Sequence, residues 1–216
     1  MTEYFRNLGI FGWIEILAMI VGFIYVVLQI QKSRKMWYAC IVSALLNILV
    51  YSHSHYISMM LIQFYYIIAS VYGLVQWSKV RKEAIGKYGV DNRTVGHKIA
   101  IVRFNKKVGL VSTAVALAVF FILAPLLSHF LEMSGQLAFP GQAWCDAAVA
   151  VASMLATFWL SKSYIEQWYM WIVINAVSIP IFIMGHIYWI ALLYVAYLVM
   201  AVVGLRQWKR LGVIVE

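Results

Sequence analysis

Seven long apolar stretches constrain the fold of this chain more than any other feature of its sequence. They lie near residues 10–30, 37–53, 57–77, 108–129, 143–160, 168–184 and 188–206. Each is close to the roughly 20 residues that a helix needs to cross a hydrocarbon core of about 30 Å. A soluble domain would be unable to cover them, because 64% of the chain is hydrophobic and only 12% is charged. We therefore predict an all-α integral membrane protein with seven transmembrane helices.

The positive charges predict how these helices are oriented. Of the 17 Lys and Arg residues, all but Arg6 fall in 31–36, 78–107, 161–167 or the C-terminal end, which lie on one side of a seven-span chain. Cytoplasmic loops of membrane proteins carry an excess of Lys and Arg. We therefore expect the N-terminus outside, the C-terminus in the cytoplasm, and 78–107 as a basic cytoplasmic loop. The net charge of +9 indicates topology and does not call for a nucleic-acid partner.

An internal repeat divides the chain. A shift of 131 residues places 14 residues of 13–77 on identical residues. Three tryptophan pairs keep this register without a gap: Trp13 and Trp144, Trp37 and Trp168, and Trp77 and Trp208. We therefore predict two three-helix repeats, 10–77 and 143–208, joined by a linker helix at 108–129. A single linking span makes the repeats parallel, a 3+1+3 arrangement like that of SWEET-type carriers, which bind substrate near the midplane between the repeats.

Polar residues follow one face of the sixth span. Trp168, Trp171, Asn175 and Ser178 are spaced by three, four and three residues, which places them on the same side of a helix. Such residues in a span face neighbouring helices or a cavity, because they are costly in lipid. For Trp171 and Asn175 we favour ligand binding over hydrogen bonding between helices. For Trp168 an interfacial tryptophan belt and ligand binding both stay open.

Further polar and aromatic residues point to the same kind of site. Gln63, Tyr66 and Ser70 share a face of span 3, Tyr194 and Tyr197 share the equivalent face of span 7, and span 2 contributes Asn47. Together with the residues of span 6 they predict an aromatic pocket with neutral amides. Such a pocket suits a flat ring by stacking and a cationic ring by cation–π attraction, while the amides would bond sugar hydroxyls.

The residues that are absent also narrow the function. Apart from Arg206, the last residue of span 7, no Lys or Arg lies inside a predicted span, so nothing would neutralise a phosphate at the midplane. The chain has no phosphate-binding loop, no nucleophile–base pair and no set of metal ligands at membrane depth. We therefore expect an unphosphorylated substrate and no enzyme activity, catalytic residue, metal or cofactor. The roles of Glu15 and Asp146, near the outer ends of spans 1 and 5, stay open, as does ion coupling.

Three segments of the sequence resemble the PnuC family of bacterial vitamin transporters. They are QWYMWIVINAVSIP in span 6, LIQFYYIIASVYGLVQW in span 3 and LYVAYLVMAVVGLRQWKR in span 7. The resemblance implies a full-length SWEET-like fold in the inner membrane. It also implies import of nicotinamide riboside, an NAD precursor, by facilitated diffusion, with trapping through phosphorylation by a cytoplasmic kinase. Matched residue by residue, Trp168, Trp171, Asn175, Gln63 and Tyr66 fall on the family's motifs.

The resemblance leaves the cargo open. Branches similar to this family are associated with thiamine, riboflavin or deoxynucleosides, and thiamine is the main alternative because it too is a cationic heteroaromatic. Ser178 and Pro180 stand where the resemblance suggests a second asparagine in span 6. A membrane receptor or scaffold that uses 78–107 as its output is the alternative from another class. Assembly as a homo-oligomer also stays open.

Overall fold

Seven helices follow one another along the part of the chain that the structure, a computed structural model, describes: residues 9–53, 57–88, 99–135, 139–184, 186 and 188–215. They are α1 (Ile10–Ile30), α2 (Lys35–His53), α3 (Ile57–Tyr88), α4 (Lys106–Ser134), α5 (Gln142–Ser161), α6 (Gln167–Met184) and α7 (Tyr188–Leu211). Each predicted apolar stretch lies within one of them, so the prediction of an all-helical membrane architecture is confirmed. Two four-residue strands, β1 (Ile99–Val102) and β2 (Gly212–Val215), were not predicted.

Six of these helices are long and apolar enough to cross a membrane. They are α1, α2, α4, α5, α6 and α7. Only the described residues bear on this finding, and α3 is not among the six, so its crossing stays a prediction. The linker helix α4 is largely exposed, with Leu110, Phe121 and Met133 between 64% and 77% exposed. Such a surface is what a helix shows when lipid surrounds most of it.

The chain forms two compact units, one up to Lys79 and one from Val80 onward. In the first unit α1 packs against α2. The turn between them closes when the amide of Ser33 donates to the carbonyl of Leu28 over 2.9 Å, with Lys32 in the left-handed region at φ 49°. This geometry ends a helix tightly and usually takes glycine. The ring of Trp37 lies against Gly73 and joins α2 to α3.

In the second unit the helices pack in sequence, α4 on α5, α5 on α6 and α6 on α7. The linker helix begins at Asn105, whose Oδ1 accepts hydrogen bonds from the amides of Lys107 and Val108 over 3.0 and 3.3 Å. This N-cap satisfies donors that a helix start leaves open. The indole Nε1 of Trp159 donates to the hydroxyl of Ser112 over 3.0 Å and ties α5 to α4.

The two strands pair in parallel, with Ile99 opposite Gly212 and Val102 opposite Val215. We call this strand pair the clip. Its side chains pack on the last turns of α3, where Ala84, Ala100 and Val215 form a small buried cluster. The predicted loop 78–107 is thus partly structured, because α3 continues to Tyr88 and β1 follows after residues outside the described part. Division of the chain at the predicted domain bounds stays a prediction.

Candidate functional site

The structure places the predicted residues of α6 on its buried side. Trp168, Asn175 and Ser178 are at most 5% exposed and Trp171 is half-buried. The opposite side shows apolar and aromatic side chains, with Tyr169 46% and Val173 59% exposed. This is the reverse of the pattern on a soluble helix, as expected when the outer medium is lipid. The polar side of α6 is therefore its buried side.

Three polar atoms on this side have no hydrogen-bond partner within the described residues. They are the indole Nε1 of Trp168, the indole Nε1 of Trp171 and the hydroxyl Oγ of Ser178. A buried donor without an acceptor costs about 1–3 kcal/mol. Most buried polar atoms in native proteins are satisfied, so such a group calls for an explanation. A ligand that offers hydrogen-bond acceptors along α6 would explain these unpaired polar atoms.

Trp168 is engaged in helix packing. A Cβ atom on Gly204 of α7 would overlap its ring, and its edge meets Trp208 with ring centroids 5.7 Å apart at 84°. The repeat-equivalent Trp37 makes the same contacts, on Gly73 and against Trp77 at 5.2 Å and 75°. We call this arrangement the tryptophan–glycine contact. It gives Trp168 a structural role, and stacking of Trp168 on a ligand stays a prediction.

An aromatic cluster follows the polar residues along α6. The ring centroid of Tyr194 lies 4.8 Å from that of Phe182 and 5.9 Å from that of Tyr197. Phe182 was not predicted as a site residue. It stands four residues after Ser178 and so continues the same helical face. A phenylalanine in an apolar helix carries no chemical signal, and the +4 spacing alone could have singled it out.

The predicted residues of the first unit are partly used within their own helices. The hydroxyl of Ser70 donates to the carbonyl of Tyr66 over 2.7 Å, and the Nδ2 of Asn47 donates to the carbonyl of Ser43 over 2.9 Å. Gln63 and Tyr66 are half-buried. Ser70 and Tyr66 are thus in contact in the first unit, as Tyr194 and Tyr197 are in the second, and the convergence of all the candidates in one pocket stays a prediction.

Two acidic groups of the second unit, Glu166 and Asp146, stand near helix starts. Burial raises the pKa of Glu166, which precedes α6, by disfavouring its charged form. At the other end of the unit, Asp146 accepts a hydrogen bond from the Nε2 of Gln142 over 3.3 Å. The side chain of Glu15, the repeat mate of Asp146, lies outside the described residues. The predicted site residues on the polar side of α6, Trp168, Trp171, Asn175 and Ser178, are themselves neutral.

The turn after α1 holds a buried cation. Lys32 is 4% exposed, and its Nζ lies 5.1 Å from the ring centroid of Trp77. Burial lowers the pKa of Lys32 to about 7, because the charged form is poorly solvated there. Its repeat mate Ser163 also has a left-handed backbone, at φ 63°, and is buried. The two turns share a backbone geometry and differ in charge.

Comparisons with known proteins agree on one family. The family described as nicotinamide mononucleotide transporter matches residues 12–210. The nicotinamide riboside transporter PnuC of Escherichia coli (strain K12) is 23% identical over 205 residues, which cover 91% of this chain and 85% of that protein. The riboflavin/roseoflavin transporter RibM of Streptomyces davaonensis is 24% identical over 197 residues, with 91% and 84% covered.

One solved structure resembles the fold. The crystal structure of the vitamin B3 transporter PnuC superimposes with a TM-score of 0.63 at 20% sequence identity. The match covers 92% of this chain and 81% of that one. At this identity the likeness concerns the fold alone.

Proposed function

The chain belongs to the nicotinamide mononucleotide transporter family, that of PnuC, and on this premise we propose that it imports nicotinamide riboside. Members of the family that it resembles are membrane transporters of vitamins. The substrate would be the unphosphorylated riboside, taken up across a bacterial inner membrane. Import would proceed by facilitated diffusion, and phosphorylation by a cytoplasmic kinase would trap the product.

The observation that carries this proposal is the neutral polar side of α6. Trp171 and Ser178 present buried donors without acceptors, and Asn175 lies between them. A carboxamide oxygen or ribose hydroxyls would satisfy these donors, and the indole faces suit a pyridinium ring. A mononucleotide would add a phosphate, which is ordinarily bound by Arg, Lys or helix N-termini. The described cations lie instead at helix ends and in turns, which favours the riboside.

The same proposal assigns roles within the site. Trp171 and Trp168 would stack on the ring, while Asn175 and Gln63 would bond its substituent or the ribose. Ser70, Tyr66, Asn47, Tyr194 and Tyr197 would complete the pocket. The two repeats would be parallel and joined by α4 in a 3+1+3, SWEET-like arrangement, with the C-terminus in the cytoplasm.

Titration calorimetry on purified protein tests the assignment. We expect nicotinamide riboside to bind, nicotinamide mononucleotide to bind at least tenfold more weakly, and Asn175→Ala to lose affinity about tenfold, the loss of one or two buried hydrogen bonds. Ser161→Ala is the matched control, because the buried hydroxyl of Ser161 donates to the carbonyl of Phe158 at the end of α5. Unchanged binding in Asn175→Ala would show that the amide does not contact the substrate.

Counterflow in proteoliposomes separates a carrier from a receptor. A carrier exchanges labelled riboside across the bilayer without an energy source, whereas a receptor or scaffold binds it and exchanges nothing. Binding without counterflow would therefore contradict the proposal and favour the receptor alternative.

A second vitamin is kept as a candidate because of the similarity to RibM. Identity to this riboflavin/roseoflavin transporter, 24%, is no lower than the 23% to the riboside transporter. Riboflavin would also stack on indole rings, and thiamine offers a cationic ring. The same calorimetric titration with riboflavin and thiamine decides the matter, since the tightest ligand identifies the cargo.

A further inference from the structure

The clip gathers basic segments that lie far apart in the sequence. Pairing of β1 with β2 brings the end of α7 next to the segment that enters α4, and both pack near the last turns of α3 through Ala84. Seven cations of this region are exposed: Lys82, Arg103, Lys106, Lys107, Arg206, Lys209 and Arg210. We call them the basic rim. Among the acidic residues that the structure describes in the second unit, only Glu83 and Glu166 lie at this end.

The basic rim borders directly on the apolar surface of its helices. Leu110, 74% exposed, stands three residues after Lys107, and Val203, 46% exposed, stands three residues before Arg206. Three residues along a helix correspond to about 4.5 Å. Lys107 and Arg206 therefore sit within one turn of exposed apolar side chains, and a membrane-spanning helix places such a boundary at the depth of phospholipid headgroups.

The start of α4 adds a reason to expect an anion there. Lys106 and Lys107 occupy its first turn, which contains no acidic residue. The N-terminal end of a helix carries a partial positive charge, so cations at this position are unfavourable unless an anion compensates them. Arg103 stands just ahead of the same turn and is also exposed. Three cations and a helix start thus point to a negatively charged partner.

We propose that the basic rim binds anionic phospholipid headgroups of the leaflet that it faces, and that the clip assembles this surface. The proposal concerns a lipid partner and holds for any transported cargo. Anionic membrane surfaces attract juxtamembrane Lys and Arg, each worth about fivefold in binding. A lipid is favoured over a soluble polyanion because the rim lies at headgroup depth beside the lipid-facing residues Leu110 and Val203.

The test uses the full chain, delipidated in detergent, with phosphatidylglycerol or phosphatidylcholine added. Native mass spectrometry gives the lipid affinities, and thermal unfolding gives the stabilisation that bound lipid produces. We expect phosphatidylglycerol to bind at least tenfold more tightly than phosphatidylcholine, with a preference that weakens at high salt. Equal affinity for the two lipids would overturn the proposal.

Two kinds of variant distinguish the effect of the positive charges on lipid binding from the effect of the clip's geometry. The triple change Arg103→Gln, Lys106→Gln and Lys107→Gln should lower the preference at least tenfold, while Arg103→Lys, Lys106→Arg and Lys107→Arg should keep it. Gly212→Val leaves every charge in place, but its Cβ would overlap the carbonyl of Trp208 and crowd Ile101, so it should open the clip. It should therefore reduce the preference although the net charge is unchanged.

Two outcomes would overturn the assignment. If the glutamine triple variant or Gly212→Val retains the full preference for phosphatidylglycerol, the clip does not assemble a lipid site. If inorganic phosphate or a short DNA duplex stabilises the protein as much as phosphatidylglycerol does, the partner is a soluble anion. A cooperative thermal transition in each variant shows that it has folded, which keeps a loss of binding interpretable.

Discussion

At the scale of single residues, a substitution at Ser178 distinguishes a role in ligand binding from a role in helix packing. Its hydroxyl is buried and has no partner within the described residues. Removing a donor that the fold leaves unpaired does not cost stability, whereas removing a donor that bonds a substrate costs affinity.

We expect Ser178→Ala to leave the thermal unfolding temperature unchanged or to raise it by up to about 3 °C, since a buried unpaired group is removed. Substrate affinity should fall about fivefold in calorimetry. The control Ser161→Ala should show the opposite pattern, because that hydroxyl donates to the carbonyl of Phe158. Unaltered affinity in Ser178→Ala would leave its hydroxyl outside the site.

Lys32 makes the stability of the fold depend on pH. Its pKa is about 7 in the folded protein and has an ordinary value of 10.5 in the unfolded chain. Between these values the unfolded chain binds more protons, so the free energy of unfolding rises with pH. Below about pH 7 both states are protonated, and the cost of burying the charge is fully present.

We expect Lys32→Met to raise the free energy of unfolding at pH 7 by on the order of 1–3 kcal/mol. This gain is smaller than the full cost of burying the charge, because the contact with Trp77 is lost. The dependence of wild-type stability on pH between 7 and 9.5 should flatten in this variant, as measured by thermal unfolding. The exposed neighbour Lys35 provides the control, and Lys35→Met should change neither quantity. A variant as pH-dependent as the wild type would contradict the burial of this charge.

At the scale of helices, the tryptophan–glycine contact fixes how pairs of helices approach. Both repeats use it, and in both a Cβ atom on the glycine would overlap the indole ring. Small residues allow such close approach between membrane helices. The contact therefore explains why glycine stands at positions 73 and 204.

We expect Gly204→Ala and Gly73→Ala each to destabilise the protein by about 1–3 kcal/mol through overpacking. Gly86→Ala is the matched control, because its Cβ would meet nothing within 4 Å and alanine is the better helix former. Thermal unfolding in detergent measures all three. If the two buried variants are as stable as Gly86→Ala, the rings do not close on the glycines.

Helix bounds could be predicted from the sequence, because long apolar stretches leave few alternatives in lipid. The extension of α3 to Tyr88 could not, since its charged residues resemble a loop. The clip escaped prediction because a four-residue run such as Ile99–Val102 becomes a strand only when its partner, more than 100 residues away, is known. In the site, the spacing of the polar residues predicted that they share a face of α6. The packing of Trp168 on Gly204 could not be predicted, because it depends on how α6 and α7 approach each other.

At the scale of the whole molecule, charge predicts the orientation. Described cations lie at the ends of α1, α3, α5 and α7 and at the starts of α2 and α4. In an alternating chain these ends share one side, and Arg6 is the exception in the sequence. The positive-inside rule assigns that side to the cytoplasm.

We expect green fluorescent protein, which works only in the cytoplasm, to be active when it is fused after Glu216. Alkaline phosphatase, which works only outside, should be active when it is fused before Met1. Paired fusions of alkaline phosphatase and green fluorescent protein at each terminus measure this, since each reporter works on one side of the membrane. Seven crossings require opposite results at the two termini. Identical results at the two termini would mean an even number of crossings and would show that the third predicted span does not cross the membrane.

The strand pairing also sets an order of events during biogenesis. Residues 212–215 leave the ribosome more than 100 residues after their partners 99–102, a delay of roughly 6–20 s at 5–20 residues per second. Until then the segment Ile99–Val102 has no strand partner, while the last four helices are synthesised and inserted into the membrane. The clip can therefore form only after all seven helices have been synthesised.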